Sequence, residues 1–217
     1  MTETRRKQTI GFSSFGDVEI SSLEGTIISA FFPEAEEMTI KEIQERVDYS
    51  YERINSALKS LAEKKIVVEK PRGKTLMYSL DLNNLYAETM GFNAYALQRE
   101  IGFIKKHKPI YRAIKKLIES PFIWGVILFG SYSKGTETKQ SDVDIMCISN
   151  KVKETEQLVK SLKYESNVEF SPVVLLLHEF PNIKKDNLVL WNDLKIHGIV
   201  FKGDDTFYYW VYKDEKN

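Results

Sequence analysis

Two short polar motifs near the middle of the chain have the residue types needed to hold a metal ion and phosphate. Gly130-Ser131 directly follows the apolar run 126–129, and after a spacer of ten residues comes the pair Asp142 and Asp144. The apolar run predicts a buried strand, and the glycine at its end permits a sharp turn, where Ser131 offers a hydroxyl and a backbone N–H. Residues two apart in a strand share a face, so both aspartates are expected on one side of a second strand. Paired carboxylates suit Mg²⁺, which usually combines one or two of them with substrate phosphates.

Around these motifs the chain resembles the nucleotidyltransferase superfamily, which includes DNA polymerase beta, kanamycin nucleotidyltransferase and the minimal nucleotidyltransferases. The resemblance covers about residues 123–203 and extends to the phrases Pro172-Val-Val-Leu, His178-Glu-Phe and His197-Gly-Ile-Val-Phe-Lys-Gly. It implies an α/β (α+β) fold with a mixed sheet and helices on one side, an NTP substrate and Mg²⁺ as cofactor. The alternative is a surface loop in which Gly, Ser and Asp only make turns. Because each motif lies beside an apolar strand, we favour the nucleotide site.

The same resemblance implies that Gly130, Ser131 and Lys134 bind the phosphates of the nucleotide. Lys134 stands three residues after Ser131 and is followed by glycine, where related sequences often carry a basic residue. The alternative is that Lys134 is a solvated loop lysine. The chain contains neither Gly-x-x-x-x-Gly-Lys-Ser/Thr nor Gly-x-Gly-x-x-Gly, so neither a P-loop ATPase nor a dinucleotide site competes for this nucleotide.

A third carboxylate from a later strand is implied by the resemblance, and Glu169 is the acid available in the stretch 167–177. Strand alternation permits Glu169 to face Asp142 and Asp144, but an exposed charge on an edge strand fits equally well. Glutamate stands where the family more usually has aspartate. Two functions therefore stay open for the two aspartates and Glu169: nucleotidyl transfer to a hydroxyl acceptor, or nucleotide sensing without turnover in a transcription regulator.

Composition sets broad limits on what the chain does. The 217 residues suffice for two small domains, and 31 basic residues balance 31 acidic ones, so any attraction to nucleic acid must be local. A single cysteine, Cys147, lies in an apolar run and fits a buried core position in a reducing cytosol. No apolar run approaches the length of a membrane span, so we expect a cytoplasmic protein that does not enter a membrane.

Residues 21–80 have a helical pattern first and a strand pattern afterwards. The segment from Ser22 predicts a helix that ends before Pro33, and Thr39-Ile-Lys-Glu42 is a capping box that opens a short second helix. A third helix is predicted at about 51–64, followed by a β-hairpin whose tip is Lys70-Pro-Arg-Gly-Lys-Thr. Three helices and a basic hairpin resemble a winged helix-turn-helix domain.

The third predicted helix and the hairpin carry a local excess of positive charge. From Arg53 to Lys74 there are seven basic and two acidic residues, a net charge of +5. The resemblance places the helix in the major groove of double-stranded DNA and the hairpin along the phosphates. A protein-contact module with a solvated charged face is the alternative. The residues predicted to contact DNA are Arg53, Asn55, Ser56, Lys59, Lys70, Arg72 and Lys74.

A helical segment from about 84 to 106 joins the two units and is rich in apolar residues. Such a face must pack against a domain or against a second copy of the chain, so a homodimer through this helix is one expectation. Pro109 interrupts or restarts the helix. The predicted organisation is therefore a winged helix-turn-helix domain at 1–82, a helical linker at 83–119 and a nucleotidyltransferase domain at 120–217.

Overall fold

The computed structural model describes residues 19–33, 36–81, 84–208 and 210–211, so the predicted boundary between residues 82 and 83 lies outside the described residues. The N-terminal part has three helices and a three-stranded antiparallel sheet in the order β1-β3-β2. Its elements are α1 Ser22–Ser29, β1 Met38–Thr39, α2 Ile40–Arg46, α3 Tyr51–Glu63, β2 Val67–Arg72 and β3 Thr75–Leu80.

Local capping interactions fix the starts of the first two helices. The Thr39 hydroxyl accepts from the N–H of Glu42, and the Glu42 carboxylate accepts from the N–H of Thr39, which confirms the predicted capping box. Ser21 and Glu24 form the same arrangement at the start of α1. Each box satisfies backbone donors that a helix start leaves unpaired.

The predicted hairpin is present and longer than expected. Strands β2 and β3 pair from Val67 with Leu80 to Arg72 with Thr75, so basic residues counted as the loop lie within the ladder. Gly73 turns the chain at a φ of +65°, a conformation that side chains other than glycine rarely adopt.

Helix α4, Leu85–Lys106, passes between the N-terminal helices and the second sheet, and α5, Lys108–Glu119, follows it with Pro109 in its first turn. Phe92 and Tyr95 of α4 are buried within the chain itself, and Phe103 is buried near α5. These described apolar residues of the linker are thus covered by the chain itself. Among the described helices, none is both long enough and apolar enough to cross a membrane.

The second sheet is mixed and has the order β6-β5-β4-β7. Strand β4 runs antiparallel to β5 and β7, whereas β5 and β6 are parallel. Its strands are β4 Ile123–Leu128, β5 Val143–Ser149, β6 Phe170–Leu175 and β7 Ile199–Lys202. The remaining helices are α6 Gly130–Lys134, α7 Val152–Ser161, α8 Lys163–Ser166, a 3-10 turn Phe180–Asn182, α9 Ile183–Asp186, α10 Leu188–His197 and α11 Asp204–Tyr208.

Helices cover both faces of this sheet, so the expectation of helices on one side is wrong. Val126 and Ile145 pack in the same cluster as the buried residues of α5 and α7. Ile127 and Met146, their neighbours along the strands, pack in the cluster that contains Trp191 of α10. Strand alternation sends successive side chains to opposite faces, and both faces are apolar here. Asp144 has the same alternation as Met146 and therefore lies on the α10 face.

A continuous run of aromatic rings connects the N-terminal helices with α10. Phe32 lies 4.8 Å from Phe92 of α4, and Phe92 stacks on Tyr208 of α11 at 4.9 Å, measured between ring centroids. From Tyr208 the run continues through Phe207 and Phe180 to Trp191, with centroid separations of 5.3, 5.9 and 5.8 Å. These separations are typical of favourable aromatic pairs.

Candidate active site

The turn after β4 brings the two predicted motifs into contact. Phe129 is extended, and Gly130 starts α6 at a φ of +71°. A Cβ at Gly130 would overlap Oδ2 of Asp144 and lie 2.9 Å from its Cγ. The Phe129 N–H donates to the carbonyl of Asp144 at 3.0 Å. Glycine is therefore required both for the backbone angle and for the close approach of the aspartate.

The two aspartates differ in their exposure. Asp144 belongs to β5 and is half-buried, whereas Asp142 precedes the strand and is exposed. Burial raises the pKa of Asp144, the negative charges of Asp142 and Asp193 raise it further, and Lys134 acts in the opposite direction. The site thus holds more negative than positive charge, which favours a bound cation.

Asp193 of α10 is a site residue that the sequence did not reveal. Its Oδ1 forms an ion pair with Lys134 Nζ at 2.6 Å, and its Oδ2 accepts from the N–H of Gly130 at 3.3 Å. The side chain of Asp193 is 18% exposed. The order of elements could have indicated this residue. Helix α10 ends directly before β7, and Ile199 of β7 pairs with Leu128, next to the Gly130 turn.

An open cleft of about 500 Å³ lies between the Gly130 turn and α10. Gly130, Lys134 and Asp144 line it, whereas Ser131 and Asp142 lie outside its lining. The other residues of the lining are mixed in character: Phe129, Asn187, Val189, Leu190, Asn192, Asp193, Ile196 and His197. A lining that combines charged and apolar groups suits a ligand that has a phosphate part and a less polar part.

Arg99 of α4 holds the turn and α10 together from outside the cleft. Its guanidinium donates to the carbonyls of Ser133, at 3.2 Å, and of His197. Ser133 belongs to α6 and His197 ends α10, so one side chain fixes both walls. Arg99 also lies over the ring of Tyr95, 5.6 Å from its centroid. This positioning role was not predicted.

Glu169 directly precedes β6, but its side chain forms an ion pair at the surface. Its carbonyl accepts from the N–H of Val143, which places it beside Asp142 in the sheet. The carboxylate, however, is 63% exposed and forms an ion pair with Lys163 at 3.1 Å. Glu169 also lies outside the lining of the cleft. Strand β6 is the edge of the sheet, so this geometry corresponds to the exposed edge charge considered above.

The described residues contain no group of three or more His, Cys, Asp or Glu side chains that could hold a metal ion by themselves. Two carboxylates nevertheless fit Mg²⁺, because this ion commonly takes one or two protein carboxylates and completes its shell with water and phosphate. Burial is the main cause of the raised pKa of Asp144, and the negative charges of Asp142 and Asp193 add to it. The donors present therefore fit a divalent cation that arrives with a nucleotide.

The residues predicted to contact DNA lie on the N-terminal surface. All of them are exposed except Asn55, which is half-buried. The Arg53 guanidinium lies over the ring of Tyr49, 4.7 Å from its centroid. Helix α3 buries Ile54 and Leu58 and presents Ser56 on its outer side.

Part of the predicted positive charge is neutralised by acids from outside the basic stretch. Glu37 forms ion pairs with Lys70 at 2.8 Å and with Arg72 at 3.1 Å. Glu24 is buried and pairs with Lys64. Burial would raise the pKa of Glu24, but hydrogen bonds from Lys64, Ser21 and Ser60 outweigh it and leave the pKa below its ordinary value. The net charge of +5 therefore overstates the charge that this surface offers.

Comparison with known proteins bears on the second half of the chain. Residues 97–200 match the model of the nucleotidyltransferase domain family. The matched range contains the Gly130 turn, both aspartates and Asp193. This family match supports nucleotidyl transfer as the general type of chemistry. A comparison with curated proteins gave no match.

Solved structures show weaker likenesses. A toxin-antitoxin crystal structure with AMP-PNP is 20% identical, with 51% of this chain and 86% of that chain covered and a TM-score of 0.36. A mutant of the toxin-antitoxin MntA-HpeT gives the same values. TrmBL2, an archaeal chromatin protein with a described mode of DNA binding, is 15% identical over 82% of this chain and 71% of its own, with a TM-score of 0.28. Because these scores lie below 0.5, they support no conclusion about what this chain binds or does.

Proposed function

We propose that the cleft binds a nucleoside triphosphate together with a divalent cation, which we take to be Mg²⁺, and that the protein transfers the nucleoside monophosphate to a hydroxyl acceptor. The observation that carries the proposal is the contact of Asp144 with the Gly130 turn beside Lys134, all three lining an open cleft. The family match over residues 97–200 supports the same type of chemistry.

Each of the predicted site residues around the Gly130 turn has a role in this proposal. Asp142 and Asp144 would hold the cation, while the N–H of Gly130, Ser131 and the ammonium of Lys134 would bind phosphate oxygens. The apolar side chains on α10 would contact the nucleoside. When bound, the cation would neutralise charge that develops on the phosphates.

The transfer itself is a displacement at the α-phosphate. The acceptor oxygen forms a bond to the α-phosphorus while the bond to the bridging oxygen breaks, so that pyrophosphate leaves and the acceptor's proton passes to water. Once they hold phosphate, the N–H of Gly130 and the ammonium of Lys134 orient the phosphates for this step. Positioning of this kind contributes most of the rate in phosphoryl transfer.

Transfer is tested with labelled NTPs, Mg²⁺ and cell extract as the source of acceptor. Asp142→Asn and Asp144→Asn should each reduce label incorporation by about a hundredfold or more, since metal-bound charge stabilisation contributes several kcal/mol. Asp205→Asn is the matched control, because Asp205 is exposed on α11 and does not line the cleft. Label transfer that is equal in all four proteins would show that the assignment is wrong.

A second candidate function is nucleotide sensing without turnover, and the position of Glu169 favours it. The third acid expected from a later strand is paired with Lys163 at the surface. Without it, a site that binds nucleotide transfers it slowly. Tight binding of ATP with Mg²⁺ and no label transfer to any extract component would support sensing over transfer.

For the N-terminal part, we propose a winged helix-turn-helix domain within residues 1–82 that binds double-stranded DNA. Support comes from the succession of three helices and a paired hairpin, and from the exposure of Arg53, Lys59 and Lys74. In this arrangement α3 would enter the major groove and the hairpin would contact phosphates.

DNA binding is tested with random-sequence duplexes over a range of salt concentrations. Loss of two phosphate contacts in Arg72→Ala/Lys74→Ala should weaken binding and lower the slope of log K against log salt by about 2, since each neutralised phosphate contributes about 0.9. Lys153→Ala, a change at an exposed lysine of α7, should leave both quantities unchanged. The proposal is wrong if the wild-type protein shows no binding at low salt.

A further inference from the structure

The carboxylate of Asp193 occupies the same two groups that a bound phosphate would use. One of its oxygens pairs with Lys134 at 2.6 Å, and the other accepts from the N–H of Gly130 at 3.3 Å. A carboxylate and a phosphate both present two oxygens to a pair of donors, and both favour charged donors. Asp193 therefore resembles an anionic ligand that the chain supplies to its own site.

The packing of α10 holds Asp193 in this place. Trp191 and Leu194, on either side of it in α10, are buried, and the helix is also tied to the turn through Arg99. Asp144 carries charge of the same sign near Asp193, and Lys134 pairs with Asp193 and offsets this repulsion. Helix packing keeps the carboxylate at the donors although Asp144 repels it.

We propose that Asp193 is an internal phosphate mimic, which an incoming ligand must displace from Gly130 and Lys134, and that this displacement selects for polyphosphates carried with a divalent cation. The inference rests on the proposed nucleotide site and identifies the class of ligand that this site accepts. Asp193 and Asp144 both lie near Lys134, and Asp142 adds its negative charge beside Asp144, so a single phosphate adds repulsion without relieving any. A triphosphate with its cation brings positive charge to Asp142 and Asp144 and enough phosphate oxygens to replace the carboxylate.

The competing role for Asp193 is that of a third carboxylate that helps to hold the cation. The two roles predict opposite effects when the charge is removed. A phosphate mimic competes with the ligand, so its loss strengthens anion binding. A third carboxylate attracts the cation, so its loss weakens binding of ATP with Mg²⁺.

The test measures calorimetric binding of ATP with Mg²⁺, ATP with EDTA, and inorganic phosphate to the full chain. Asp193→Asn should bind ATP in EDTA about tenfold more tightly than wild type, which corresponds to about 1.4 kcal/mol. It should also acquire measurable binding of inorganic phosphate. Asp193→Ala removes both acceptor oxygens and should show the same gain, while Asp205→Asn controls for the change in net charge.

The outcomes separate the inference from the proposed function. If wild type binds ATP with Mg²⁺ and neither Asp193 variant gains affinity, the inference is wrong and the proposed nucleotide site stands. Weaker binding of ATP with Mg²⁺ in both variants assigns Asp193 to the cation and also overturns the inference. If no protein binds ATP under any condition while circular dichroism shows all of them folded, the proposed function fails and the inference fails with it.

Discussion

Replacement of Gly130 by alanine tests whether the contact between the turn and Asp144 matters for ligand binding. Gly130 and Gly135 both have a φ of +71°, but a Cβ at Gly135 meets nothing within 4 Å, whereas one at Gly130 overlaps the Asp144 carboxylate. Gly135→Ala is therefore a control that carries the same backbone strain without the steric conflict.

The structure allows the cost of backbone strain to be separated from the cost of displacing Asp144. An alanine in the left-handed region costs about 1–2 kcal/mol, and both variants should lose that much unfolding free energy. In Gly130→Ala, Asp144 must also leave its position, and a rotamer displaced by about 30° costs roughly a further 0.5–1.5 kcal/mol. The stabilities of the two variants should thus differ modestly, while their ligand binding should differ strongly.

Urea unfolding and ATP titration with Mg²⁺ measure the two quantities on the same preparations. We expect Gly135→Ala to bind ATP as wild type does and Gly130→Ala to bind it at least about tenfold more weakly, equal to about 1.4 kcal/mol. Equal affinities in the two glycine variants would refute the reasoning, because Asp144 would then bind no part of the ligand or would tolerate displacement.

Three further predictions concern charges outside the cleft. Because the pKa of Glu24 is lower in the folded chain than its ordinary value of 4.5, its stabilising effect is present above that pH and lost as pH falls through the folded value. The difference in unfolding free energy between wild type and Glu24→Gln, measured with urea, should therefore shrink in acid. Glu37→Gln removes the partner of two hairpin cations and should strengthen DNA binding and steepen its salt dependence in a duplex titration; unchanged binding would contradict this. Burial raises the pKa of Cys147 to about 12, so an aromatic disulfide reagent should label no thiol at pH 8 until urea exposes one.

Local sequence signals were sufficient for the elements on either side of the site. A glycine after an apolar run predicted the turn at Gly130, and the spacing of Asp142 and Asp144 correctly placed a strand behind the turn. The capping box at Thr39 likewise depends on residues only three positions apart. In each case the interacting groups are near neighbours in the chain, so their types and spacing carry the information.

The sequence does indicate that helices cover both faces of the second sheet. In β4 and β5, neighbouring residues such as Ile127 and Leu128 are both buried, and continuous apolar runs of this kind are typical of strands covered on both sides. Alternation between apolar and polar residues would instead have indicated one open face.

Local sequence patterns could not identify Asp193, nor Glu24 and Glu37, the acids that neutralise part of the basic stretch. Asp193 reaches Gly130 from 63 positions away, because β7 pairs with β4 and carries the end of α10 with it. Glu37 reaches Lys70 from 33 positions away. Composition within a window cannot show such partners, since they are set by how helices and strands pack.

Because the run of rings from Phe32 to Trp191 joins the two halves of the molecule, we expect them to unfold as one cooperative unit. A chain cut near residue 84 would lose the ring that covers Phe92 and expose a face of α4 to water, so the transferase half should be less stable alone than in the full chain. Because the run ends at Trp191, two residues from Asp193, such a loss would also loosen the wall of the cleft. Unfolding of the full chain is then expected in a single transition, with no stable half left behind.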